Sequence, residues 1–252
     1  MSFRSIVRAL SVLALLALPA LAHAQVAASF GTSWDGPGTS LQDIVDATYG
    51  PGVLTVTTDY IGHDAGDPDP FAWEDQKFEA LIVREISGYE NSNVVGWYEE
   101  NGAAPAIDGL GDGVVFTGVE GAGATHLVLF PGLIKFGFYL DPNGDQGANN
   151  APEPEKFFTN RLFNDQGPDG SGAIHAPFGG DIQALVFDLS GYYHQPNVWL
   201  VAFEDLDTGA NPQPCCTDTD NDYNDFVFEV RAIGTTDAVV TSLGSLKALY
   251  RR

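Results

Sequence analysis

Short runs in which apolar and polar residues alternate fill most of the chain, and Gly, Pro, Asn and Asp separate them. Alternation with a period of two between turn residues is typical of β-strands. The runs cover residues 53–58, 78–86, 94–98, 114–117, 127–130, 134–140, 156–158 and 182–189. Many short strands joined by tight turns predict an all-β fold, an antiparallel β-sandwich of jelly-roll type.

Two later runs predict the centre of this fold. Residues 198–203 are apolar at every position, which is expected of a strand that is covered on both faces. Residues 225–231 place Phe226, Phe228 and Val230 on one face and mostly polar residues on the other. We therefore expect the first strand to lie inside a sheet, and the second to have one core face and one partly wet face.

One short helix is predicted ahead of the strands. Residues 41–49 have apolar side chains at helical spacing, and either Thr39 or Ser40 can cap the first turn. Gly50 and Pro51 end the pattern. This is the only clear helix that the sequence predicts in the body of the protein.

The first 24 residues have the pattern of a secretory signal peptide. Arg4 and Arg8 precede an apolar run, and a small-x-small site ends at Ala24, so cleavage is expected before Gln25. The sequence therefore predicts a protein that is secreted or held at the cell surface. No later run is long and apolar enough for a spanning helix, so no transmembrane anchor is expected.

The rest of the chain is predicted to be one domain with a tail. No linker interrupts residues 25–234, which we interpret as a single β-sandwich domain. Residues 235–252 form the tail, where Ser242 can cap a short helix that carries leucines and a basic end. This tail could dock on the acidic domain or serve as a sorting signal.

The net charge of the chain limits the classes of partner that are expected. The chain has 11 Lys and Arg against 34 Asp and Glu, and loss of Arg4 and Arg8 with the signal peptide moves the net charge from −23 to −25. Nucleic acid is therefore not an expected partner. So high a negative charge repels itself and favours bound cations.

Acidic residues concentrate between the two central strands, where no Lys or Arg can pair with them. Ca²⁺ takes several oxygen ligands from carboxylates and Asn carbonyls. The predicted metal ligands are Glu204, Asp205, Asp218, Asp220, Asp222, Asn224 and Asp225. An EF-hand is excluded, because Tyr223 stands where that loop needs Gly and a strand follows. The alternative is a solvated acidic turn without a metal.

The adjacent Cys215 and Cys216 lie in the same loop. Neighbouring Cα atoms are too close for an ordinary disulfide, so this pair does not join distant parts of the chain. A strained vicinal disulfide, a free pair and a bridge to another molecule all remain open. No catalytic role is expected, since redox sites usually separate the two cysteines.

The run REISGYENSNVVGWYEENG (84–102), followed by AFEDL (202–206) and DTDNDYNDFVFEV (218–230), resembles domain-of-unknown-function family 4114. The resemblance extends over roughly residues 40–231, and it implies a secreted or surface bacterial protein. It also implies signature positions at Glu204, Asp205, Asp220, Asp222, Tyr223, Asn224 and Asp225. This chain departs from the pattern by an insertion at residues 208–217. No established activity comes with the family.

No motif of a catalytic site is present. The sequence has no HExxH and no G-x-S-x-G, and adjacent carboxylates on a strand face opposite ways. The first hypothesis is therefore a non-catalytic, calcium-stabilised module for adhesion, glycan binding or a structural role in a matrix. Its partners would be a glycan, another surface protein or further copies of itself. The alternative is a secreted hydrolase that acts on polysaccharide.

Aromatic residues near turns are the candidate contacts for such a ligand. An exposed aromatic ring can stack on a sugar or anchor a protein partner. The candidates are Trp34, Trp73, Tyr89, Trp97, Tyr98, Tyr192 and Tyr193. Core packing is the competing expectation for most of them.

Overall fold

The computed structural model describes residues 27–63, 73–87, 92–103, 105–142, 156–164, 182–205 and 220–233. Several predicted features lie outside these residues, among them the signal peptide, the tail at 235–252, the part of the acidic loop that holds Cys215, Cys216 and Asp218, and Tyr89. Predictions on these segments stay predictions.

The described residues form eight strands and three short helical segments. The strands are β1 (Trp73–Glu85), β2 (Val94–Glu99), β3 (Asp112–Phe116), β4 (Thr125–Asp141), β5 (Phe157–Phe158), β6 (Ala184–Asp188), β7 (Val198–Phe203) and β8 (Phe226–Ala232). The helical segments are α1 (Leu41–Tyr49), a 3-10 turn (Arg161–Phe163) and α2 (Ser190–Tyr193). All the strand pairs are antiparallel. The predicted all-β class is confirmed.

The strands follow the order β3-β2-β4-β1-β8-β7-β6, and β5 pairs with β4. Although β3 and β8 are four places apart in this order, the ring of Phe116 on β3 lies 6.0 Å from the rings of both Phe226 and Phe228 on β8. Such contacts require the sheet to bend back so that its two halves face each other. The result is the predicted sandwich, with an aromatic core between the halves.

Helix α1 has the predicted bounds and covers the outer face of β7 and β8. Its N-cap is Ser40, whose hydroxyl accepts the N–H of Asp43, and it ends at Gly50 with φ of 101°. Val45 is buried in a second apolar cluster together with Leu200 and Ala202. The other face of β7 packs in the aromatic core, so the prediction of a doubly covered strand is confirmed. No helix in the described ranges is long and apolar enough to cross a membrane.

The second face of β8 differs from the expectation. It was predicted to be partly wet, but Val227 and Glu229 are both buried there. The reason is that α1 and α2 cover it. Tyr49 and Tyr193 donate hydrogen bonds to Glu229 Oε2 at 3.1 and 2.6 Å, and the Nε of Arg231 donates to Oε1 at 2.5 Å. These donors satisfy the buried carboxylate of Glu229, which the strand pattern alone predicts to be exposed to solvent.

The predicted strand at 53–58 is wrong. The segment forms turns instead, in which Asp59 accepts the backbone N–H of Thr55 at 2.7 Å. The side chain of Gln42 on α1 donates to the carbonyl of Leu54 and accepts the N–H of Val56. Because a side chain satisfies these backbone groups, the segment needs no neighbouring strand.

The predicted strands at 127–130 and 134–140 form one continuous strand, β4. Against β1 the register shifts, so that Lys77 pairs with Leu129 while Asp75 pairs with Ile134. The expected turn at 131–132 is therefore an irregularity within the strand. The short helix α2 was not predicted.

Candidate functional site

The acidic residues gather where the ladder between β7 and β8 ends. Phe203 pairs with Phe226 at the last register position. Glu204 and Asp205 continue from β7, and Asp225 precedes β8, so antiparallel pairing brings the three together. The placement follows directly from the two strands that the sequence predicted.

Most of the predicted ligands are buried at this strand end. Glu204, Asp222 and Asp225 each offer a carboxylate oxygen, and these oxygens lie within 4.8 Å of one another. We call this set the buried triad. Asp205 and Asn224 are also buried, whereas Asp220 is half-buried. The structure therefore brings together six of the seven predicted ligands, the seventh being Asp218 outside the described residues.

Glu204 organises the returning loop. Its Oε2 accepts the backbone N–H groups of Asp222 and Tyr223 at 3.1 and 3.2 Å. Asn221 and Tyr223 have φ of 51° and 56°, and these left-handed conformations turn consecutive N–H groups toward the carboxylate. The Tyr223 hydroxyl donates to the carbonyl of Ile182 at 2.9 Å and anchors the loop on the other side.

Asp205 lies at the side of the site that faces β1 and β2. Its backbone N–H donates to Asp225 Oδ2 at 2.8 Å. Its carboxylate accepts hydrogen bonds from the hydroxyl of Ser87 and from Asn93 Nδ2. Asn93 is fully buried, and its Oδ1 accepts no hydrogen bond from the described part of the chain. Sequence reasoning missed Ser87 and Asn93 as parts of the site, although both lie in the 84–102 run that carried the family resemblance.

Asn224 lies at the opposite side. Its backbone N–H donates to Asp222 Oδ1 at 3.1 Å, and its Nδ2 donates to Asp222 Oδ2 at 2.6 Å. The same Nδ2 contacts the hydroxyl of Ser33 and the carbonyl of Thr39. Asn224 is 0% exposed, and none of the described residues donates a hydrogen bond to its Oδ1. A buried acceptor without a donor costs free energy unless another group binds it.

Burial disfavours the ionised form of the carboxylates at this site. It raises the pKa of Asp205 and of Asp222 to about 6, against the hydrogen bonds that each accepts. Burial also raises the pKa of Asp225 well above its ordinary value, and the charges of Asp205 and Glu204 raise it further. In the described part of the chain, no Lys, Arg or His forms an ion pair with these three aspartates.

An additional carboxylate comes from the segment before α1, which sequence reasoning did not assign to the site. The carboxylate oxygens of Asp35, Asp220 and Asp222 lie within 4.8 Å of one another. The backbone N–H of Trp34 donates to Asp220 Oδ2 at 2.8 Å across 186 positions of the chain. No local pattern in the sequence signals so distant a contact.

The candidate aromatic contacts divide into two groups. Trp34 is 62% exposed and Tyr192 is 45% exposed, so these rings can meet a ligand. Tyr98 is fully buried, while Trp73 and Trp97 pack against the aromatic core. For these three the competing expectation of core packing holds. Tyr193 is half-buried and donates to Glu229 Oε2, and Tyr89 lies outside the described residues.

The family described as "Domain of unknown function (DUF4114)" matches residues 130–232. The matched stretch contains β6, β7, the acidic loop and β8, so the predicted family resemblance is confirmed there. The 84–102 run precedes the match. No curated protein and no solved structure matches the chain.

Proposed function

We propose that this protein is a non-catalytic, secreted or surface-held β-sandwich module whose fold is stabilised by Ca²⁺ bound at the buried triad. The observation that carries the proposal is the approach of three buried carboxylates, on Glu204, Asp222 and Asp225, to within 4.8 Å. The family match supports a shared domain and supplies no activity.

Electrostatics give the first argument for a cation. Two unit charges about 4 Å apart repel by roughly 4 kcal/mol at an effective dielectric constant of about 20. The buried triad contains three such pairs when all its members are ionised. Without a cation, protonation has to relieve this repulsion, as the raised pKa values of Asp222 and Asp225 indicate. A divalent cation relieves it at neutral pH.

The donor set favours calcium. The groups of this site that could bind a metal are carboxylate and amide oxygens. Hard cations prefer oxygen ligands. Asn93 and Asn224 contact the carboxylates of Asp205 and Asp222 through Nδ2, and each has a buried Oδ1 that no donor among the described residues satisfies. Ca²⁺ accepts six to eight oxygens in variable geometry, whereas Mg²⁺ requires a strict octahedron. An irregular set of side chains from separate segments therefore suits Ca²⁺ better.

The burial of the carboxylates also supports a structural role over hydrolysis. A glycosidase needs two carboxyl groups that flank a substrate in a cleft. Asp205, Asp222 and Asp225 are buried among protein atoms, which suits a cation better than a polysaccharide. The exposed rings of Trp34 and Tyr192 supply contacts for a glycan or for another surface protein.

Thermal unfolding tests the calcium proposal. The melting temperature should rise when EDTA is replaced by calcium at about 1 mM, the affinity range of extracellular calcium modules. Saturation to 100 times Kd adds about 2.7 kcal/mol to the free energy of unfolding. Magnesium at the same concentration should restore little of this gain. Equal melting temperatures in EDTA and in calcium would show that the loop is a solvated acidic turn.

A separate assay tests the binding role. Incubation with polysaccharides should give retention on the glycan, or no interaction, without release of reducing ends. Release of reducing ends would instead establish the hydrolase alternative.

A further inference from the structure

We propose that two copies of this chain pair edge to edge through residues 125–130 of β4. The two segments run antiparallel about a two-fold axis at Val128, so that the sheets of both copies join into one. This inference goes beyond the calcium site, since none of these residues belongs to it. It assigns a surface and a partner, a second copy of this chain, to the module.

Residues 125–130 have a strand partner on one side. Thr125 to Leu129 pair with Leu81 to Lys77 on β1. The other neighbour of β4, strand β2, pairs only with residues 136–141. Within the described residues, therefore, no strand pairs with the second side of 125–130. Alternate residues of such an edge direct their N–H and C=O groups to the free side, where they form a template for another strand.

The side chains on the outward face of this edge are apolar and exposed. Leu127 is 56% exposed and Leu129 is 67% exposed. Both face away from the aromatic core, because Val128 between them packs against it. Residues 125–130 contain no Asp, Glu, Lys or Arg, in a chain with 34 acidic residues. Edge strands are usually protected by charged side chains or by a covering segment, and an uncharged, exposed apolar edge is expected to pair.

The sequence of the edge suits a second copy of itself. The segment Leu127–Val128–Leu129 reads the same in both directions. An antiparallel pair centred on Val128 therefore places each Leu127 directly opposite Leu129 of the other copy, where the two side chains contact each other. The two-fold arrangement makes this contact twice and occupies the same edge on both copies, so association stops at two chains.

Charged residues on β1 complete the match. Lys77 lies beside Leu129, and Glu79 lies beside Leu127, on the same outward face. In the proposed pair, each row across the joined sheet begins with Glu79 of one copy, crosses the two leucines and ends with Lys77 of the other copy. Each leucine pair is thus flanked by one acid and one base. Two copies of a strongly acidic chain can approach through this face without bringing like charges together.

Sedimentation of the purified protein over a range of concentrations tests the proposal. The contact involves few residues per copy, and small interfaces give weak association that depends on concentration. The parent should change from one chain to two, and no further, between about 1 μM and about 1 mM.

Charge substitutions test the strand and its register. A double variant with Leu127→Glu and Leu129→Glu places acid opposite acid in both rows, and a double variant with Leu127→Lys and Leu129→Lys places base opposite base. Each alone should stay a single chain up to about 1 mM. An equimolar mixture of the two should form the dimer again, because every row then joins Glu to Lys.

Leu110→Glu is the control for an added acid, since Leu110 is 84% exposed and lies outside β4. It should associate as the parent does. All the replaced leucines are exposed, so the melting temperature of each variant should stay near that of the parent.

A parent that remains a single chain over the whole range would overturn the proposal, whatever the variants do. Dimers of the double Glu variant would place the contact elsewhere on the molecule and would also contradict it. A parent that dimerises, with a Glu and Lys mixture that does not, would rule out the antiparallel register. If the parent stays a single chain but a chain ending at Gly234 associates, the tail at 235–252 occupies this edge and a second copy does not.

Discussion

The backbone N–H of Asp205 donates a 2.8 Å hydrogen bond to Oδ2 of Asp225, just beyond the last paired residues of β7 and β8. This bond fixes one oxygen of Asp225 at the strand end, where Glu204 and Asp222 also place carboxylate oxygens. The fold thus holds an acidic side chain at a position where burial and neighbouring charges both disfavour its ionisation.

Replacement of Asp225 by Asn should raise the melting temperature in EDTA and reduce the stabilisation by calcium. The amide oxygen can still accept the N–H of Asp205, while the change removes a charge whose repulsion by each close neighbour costs on the order of 1 kcal/mol or more. Glu74→Gln should leave both measurements unchanged. A lower melting temperature of Asp225→Asn in EDTA would contradict the account of buried repulsion.

The cation-free protein should be more stable at about pH 5 than at about pH 7.5. The pKa values of Asp205 and Asp222 are raised in the folded state from the ordinary 3.8 to about 6. Protonation therefore favours the folded state fully below pH 3.8, and this contribution is lost as the pH rises through about 6. Calcium should reduce the difference, because it stabilises the ionised carboxylates.

Thermal unfolding in EDTA across this pH range checks the direction in which the stability changes with pH. A melting temperature that falls steadily from about pH 7.5 to about pH 5 in EDTA would mean that other groups dominate the proton linkage of folding.

Replacement of Gly31 by Ala should loosen the segment before α1. The added methyl group would overlap the backbone carbonyl of Asp220, which cannot move without disturbing the acidic loop. Overpacking of this kind typically costs about 1 to 3 kcal/mol. Limited proteolysis should show faster cleavage near residue 31 than in the parent. Gly121→Ala is the control, since a Cβ there meets no atom within 4 Å.

Replacement of Phe116 by Ala should destabilise the whole domain. The ring is fully buried and contacts Phe226 and Phe228 across the sandwich, so its loss leaves a cavity between the two halves. Truncation of a buried Phe typically costs about 3 to 5 kcal/mol. Val114→Ala, at a half-exposed position on the same strand, should change the free energy of unfolding by about 0.5 kcal/mol or less. Urea unfolding of both variants provides the comparison, and similar losses would argue against the cross-sandwich contact.

The sequence by itself determined the features that depend on neighbouring residues. Ser40 and Gly50 set the bounds of α1, because a helix cap acts within one turn. The apolar residues at every position of 198–203 placed β7 between two apolar layers, as found. Acidic residues next to the paired strand ends were also enough to predict that Glu204, Asp205 and Asp225 meet.

Only the tertiary structure decided the features that join distant segments. Asp35 reaches Asp220 because residues 30–34 dock on the loop. Asn93, just before β2, reaches Asp205 across 112 positions of the chain. The second face of β8 is buried because α1 and α2 cover it. Tyr49 on α1 and Tyr193 on α2 donate hydrogen bonds to Glu229 on this face. Strand periodicity tells which side chains share a face, but what covers that face is set by contacts between segments far apart in the chain.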